Sequence, residues 1–168
     1  LEAGMPGDGD RPVTVEHVSM FVGVRRGETP QDWVDAVVAR DVVRAASLLD
    51  AVLAQAGVTA VRLLSALGTE LVGIRLAVAL GQEEISGARL RQAILQELKA
   101  TRPVGLGDWS ACTARWSAAA AWWSTSELDQ ALEAAFAADQ ALKSTTVSDE
   151  QGILRGLILG LHRREAVA

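Results

Sequence analysis

Along most of this chain apolar residues recur at spacings of three and four, and each such run opens on a residue able to cap a helix. Thr14 precedes a short run of Val15, Val18, Met20, Phe21 and Val22, too apolar for its length to stand alone. After the Gly23 to Glu28 break, Thr29 with Pro30 opens a helix that buries Trp33, Val34, Val37 and Val38. Asp41 caps a third, carrying Val42, Ala45, Leu48, Leu49 and Leu53 on one face and stopping at Gly57. Thr59 begins the longest, through Leu63, Leu64, Leu67, Leu71, Ile74, Leu76 and Val78 to a Gly81 cap. Gly68 and Gly73 interrupt it, each at a cost of roughly 1 kcal/mol relative to Ala, which is tolerated where another helix crosses closely.

Ser86 to Lys99 predicts a helix with Leu90, Ile94, Leu95 and Leu98 facing inward. Pro103, Gly105 and Gly107 then forbid helix from Ala100 to Gly107. Asp108 caps the next helix, through Trp109, Thr113, Trp116 and Ala120 to Trp123. Ser124 with Glu127, and Ser148 with Gln151, have the capping-box spacing, and they bracket a helical hairpin turning at Ser144 to Thr146. Its first arm carries Leu128, Leu132, Ala135 and Leu142, with Asp139 at the margin of the packed face. Its second carries Ile153, Leu154, Leu157, Ile158 and Leu161.

No period-two alternation persists, and the chain has no Asn with which to build an Asn-Gly hairpin. The expected fold is all-α, a compact bundle of about seven helices. Composition agrees: of 168 residues 49% are hydrophobic but only 4% aromatic, so Ala, Leu, Val and Ile must supply the core.

The formal charge of −5 sets the chain against phosphate, so direct DNA binding is expected to be weak or absent. Arg25, Arg26 and Arg102 are too few to reverse this. Cys112 is the one cysteine, which excludes an internal disulfide and a thiolate cluster and fits a reducing, cytoplasmic compartment. No uninterrupted apolar run approaches ~18 residues and no signal peptide is evident, so no membrane span is expected. The first ten residues, LEAGMPGDGD, read as a flexible lead-in, and a chain starting at Leu1 is expected to be a piece of something longer.

Candidate chemistry is thin. His17 and His162 lie far apart with no second ligand at metal-binding spacing, and Cys112 has no nearby His to act as its base. The Gly-rich stretches fit no phosphate-loop pattern. The acidic pairs Asp32/Asp35, Glu83/Glu84 and Asp149/Glu150 sit at helix starts or turns, where carboxylates favour the dipole. No catalytic residue, metal or cofactor is expected. Tryptophan gives the one surface signal: Trp109 and Trp116 share a helix face, whereas Trp122 and Trp123 are adjacent and point apart. These four are the candidate protein interface, Trp being enriched among interface anchors.

Three segments carry a family resemblance. Asp139-x-x-Leu142-Lys143-Ser144 after an Ala-rich helix, with a Leu/Ile-rich final helix, resembles the C-terminal end of the delta subunit of bacterial DNA polymerase III. Val13 to Gly23 is similar to the last lid helix of that family. Trp33 to Leu53 resembles its following helix pair, through Asp35, Ala36, Asp41, Ala46, Leu48 and Leu49. The match runs from about Val13 to Leu161. It implies a lead-in over 1–12, the end of a lid and a linker over 13–28, and a helical collar domain over 29–168. The implied role is non-catalytic: assembly of the clamp loader with the ATPase and delta-prime subunits, the sliding clamp being reached through an N-terminal module absent here. A helical bundle binding a ligand or regulator in an Ala-rich core is the alternative.

Overall fold

The computed structural model describes residues 28–82, 85–144 and 149–163. The expected first helix with His17, the lead-in, Arg25 and Arg26, the Glu83/Glu84 pair, Ser148 and the side chain of His162 lie outside the described residues. Among the described residues there are seven α-helices and no strands: α1 (Pro30–Val38), α2 (Val42–Leu53), α3 (Ala60–Gly81), α4 (Gly87–Thr101), α5 (Trp109–Ala119), α6 (Thr125–Ser144) and α7 (Glu150–Arg163). The fold is all-α, as the periodicity predicts.

Each cap explains its helix start. Thr29 and Asp32 form a reciprocal capping box, the Asp32 amide donating to Thr29 Oγ1 at 3.1 Å and the Thr29 amide to Asp32 Oδ2 at 2.8 Å. The Thr29 hydroxyl, then its amide, hold the Asp32 carboxyl below its usual range. Asp41 accepts from the Arg44 amide at 3.0 Å, Thr59 from Arg62 at 3.2 Å and Asp108 from Ser110 at 2.8 Å. Ser86 occupies the cap of α4 without a side-chain bond. The expected Ser148 and Gln151 capping box falls on Ser148, outside the described residues. Asp149 accepts from the Gly152 amide at 2.8 Å, while Gln151 reaches across to Asp50, so the cap of α7 is built on Asp149.

The bundle is organised around α3, which packs against α1, α4, α5, α6 and α7. Leu67, Leu71, Ile74 and Ala77 are fully buried along it. On one side α1, α2 and α7 pack in sequence; on the other, α4 and α5 pair with each other and with α3. By length and composition α3 could cross a membrane, its best window having a mean hydropathy of 1.7 with 44% of that window buried inside the bundle. The sequence expectation of no span counted uninterrupted apolar runs, which Arg62, Glu70 and Arg75 break up.

The two interior glycines of α3 have different causes. A Cβ on Gly73 would lie 2.1 Å from Cε2 of Trp116, so the indole of α5 occupies the space a side chain would need. A Cβ on Gly68 would meet nothing within 4 Å, so among the described residues helix crossing accounts for Gly73 alone.

Candidate protein interface

Two polar constructions fix the tryptophans. The first surrounds Glu70, a carboxylate only 7% exposed on the core face of α3. Trp116 Nε1 donates to Glu70 Oε2 at 2.6 Å, and Arg115 pairs with the other carboxylate oxygen. Both oxygens of a buried charge are thus matched, which offsets its desolvation. Cys112 lies against this pair, 3.5 Å from Arg115 Nη2, and burial pushes its thiol up. It is a buried free cysteine.

The second sits where α5 ends. Sequence periodicity carries that helix through Trp123, but α5 stops at Ala119, a single 3-10 turn spans Ala120–Trp122, and Trp123 is extended with φ −127° and ψ 133°. Arg40 is the reason this corner holds. It follows α1 in the left-handed conformation, φ 59°, and the Arg40 and Asp41 amides donate back to the carbonyls of Val37 (3.0 Å) and Ala36 (2.9 Å). A non-glycine residue is strained there, and the side chain offsets the strain. Its guanidinium lies 4.1 Å from the Trp123 ring centroid, pairs with Glu127 at 2.8 Å and donates to the Trp122 carbonyl at 3.3 Å. Trp123 Nε1 in turn donates to the Val38 carbonyl at 3.0 Å. Glu127 completes the predicted capping box with Ser124. The Ser124 hydroxyl and amide, with Arg40 behind them, hold its carboxyl down at about 2.

The four candidate residues therefore part company. Trp116 and Trp123 are buried, Trp109 is half-buried against the core, and Trp122 is 66% exposed on the 3-10 turn. The candidate set left out a second surface. Of the seven large apolar side chains found exposed among the described residues, Val61, Val72, Val104 and Phe136 all edge two hollows beside α3. A sequence signal existed in Phe136, an aromatic off the Leu128, Ala131, Ala135 and Ala138 face of α6. The acidic pairs are where capping chemistry puts them, at Asp32 and Asp149. Among the described residues no three His, Cys, Asp or Glu side chains converge as a metal site.

No protein-family model matches this sequence, and no curated protein matches it. Among solved structures, the fold is similar to that of the Bacillus subtilis DNA clamp loader delta protein (YqeN), with a TM-score of 0.64 and 16% identity. The similarity covers 89% of this chain and 40% of that one, so the chain spans less than half the length of its structural neighbour. At this identity the likeness is one of fold.

Proposed function

We propose that this chain is a non-catalytic assembly module of a bacterial clamp loader, residues 29–168 forming the collar domain of a delta subunit and 13–28 the end of its lid. The observation that carries the reading is a fold likeness to a clamp loader delta protein over 89% of the chain. It coincides with the family resemblance of the helix order from Trp33 to Leu161. The charge of −5 supports protein over DNA as the direct partner. Its partners in this reading are the ATPase and delta-prime subunits, in the cytoplasm, with the sliding clamp reached through an N-terminal module of a longer chain. Exposed Trp122, held by its own carbonyl's bond to Arg40, is one anchor offered to them.

The test is co-elution of the 168-residue chain with the C-terminal domains of the ATPase and delta-prime subunits, beside parallel runs with sliding clamp and primed DNA. A stable complex with the subunit domains alone is expected. Tight binding to clamp or DNA without the subunits would contradict the reading.

One observation favours the alternative of a ligand-binding bundle. A hollow of about 670 Å³ lies beside α3, lined by Leu76, Leu98, Leu106 and Trp116 with Thr69 and Thr101. Its volume suits a small, mostly apolar molecule. A saturable thermal shift with such a compound, and none with the subunit domains, would put this reading first.

A further inference from the structure

The hollow of about 670 Å³ does not end at α3. A second, of about 380 Å³, lies toward α6, and Ser65, Gly68 and Val72 line both. The two form one apolar groove crossing the outer face of α3. We propose that this groove seats an uncharged, apolar helix of a neighbouring protein subunit, crossing α3 at Gly68. The inference rests on the assembly reading above and names the face and the kind of partner.

Charge selects the occupant first. Among the described residues the only charged ones lining either hollow are Asp139 and Lys143, and these meet each other at 2.6 Å. The groove therefore offers neither a phosphate nor a charged peptide a free counter-ion, and an inserted charge would be left unpaired. The flanking walls are apolar on both sides of α3: Leu98, Val104 and Leu106 line one hollow, Leu132 and Phe136 the other.

Gly68 then fixes the crossing point. Its backbone is ordinary helix, and the space where a side chain would stand is open. Nothing among the described residues requires a glycine there, while a helix crossing at that notch can bring its backbone close. The flanks are apolar and accessible: Val72 is 58% exposed, Phe136 63% and Val104 fully so. Clustered exposure of this kind marks an interaction surface. A second copy presenting the same face would set hollow against hollow and leave unfilled space, so the partner brings a different, convex surface, as in a heterologous contact.

The test measures affinity of the 168-residue chain for the C-terminal domains of the ATPase and delta-prime subunits, with Gly68→Leu and Val104→Ser beside the unmodified chain. A Cβ at position 68 meets nothing within 4 Å, so Gly68→Leu builds into open space beside Leu64 and Val72, and its melting temperature should not fall. Affinity for one of the domains is expected to weaken by about thirtyfold or more for Gly68→Leu and by about fivefold for Val104→Ser. Association with unchanged affinity in both variants would overturn the groove assignment and leave the assembly reading standing. No association of the unmodified chain with any of these domains would overturn both. Self-association abolished by Gly68→Leu would replace the named partner with a second copy.

Discussion

The two glycines of α3 make opposite predictions at one residue each. Gly73→Ala forces a Cβ into the Trp116 indole, which its own bond to Glu70 keeps from moving aside, and should cost about 2 kcal/mol, a fall in melting temperature of roughly 4 to 8 °C. Gly68→Ala adds helix propensity into open space and should gain about 0.5 to 1 kcal/mol. Thermal melts of the two variants decide it; equal effects would contradict the packing described.

Glu127 carries a pH dependence. Its carboxyl titrates near 2 when folded against an ordinary value of 4.5, so the charged form favours the folded state. The stability it contributes is complete above about pH 4.5 and is lost as pH falls toward 2. The side chain is 39% exposed, and screening reduces the contribution to on the order of 1 kcal/mol. Glu127→Gln should therefore be less stable than the parent in urea at pH 6, with the gap closing at pH 3.

At the scale of elements, the corner between α5 and α6 separates two adjacent tryptophans. Trp123→Ala removes a buried ring, its bond to Val38 and the surface beneath Arg40, and should cost about 3 kcal/mol. Trp122→Ser should change stability by no more than about 0.5 kcal/mol. Urea unfolding of both variants checks this contrast. The sequence makes the helix starts legible because a cap is a local event: Thr29, Asp41, Thr59, Asp108 and Ser124 each act on amides two or three residues away. What it hides is non-local. The corner after α5 is held by Arg40, 82 residues before Trp122, and Glu70 is readable as a core residue only through its position between Leu67 and Ile74. Its partners come from α5, which periodicity alone does not bring alongside. Gln151 likewise reaches a partner that no spacing reveals, Asp50 on α2.

For the whole molecule, the fold class was legible because every segment repeats one period and none alternates. The candidate interface was only partly legible. Four tryptophans could be named, but exposure separates Trp122 from the others, and the groove beside α3 exists only once α4, α6 and the Pro103 to Gly105 turn are assembled around it. A stable interface on such a surface would bury on the order of 1,200 to 2,000 Å² in total.

Native mass spectrometry of the 17.7 kDa chain mixed with the C-terminal domains of the ATPase and delta-prime subunits tests the proposed assembly role most directly. One copy of this chain in a hetero-complex with those domains is the predicted result. A chain that remains at its own mass, or that forms only homo-oligomers, would contradict it.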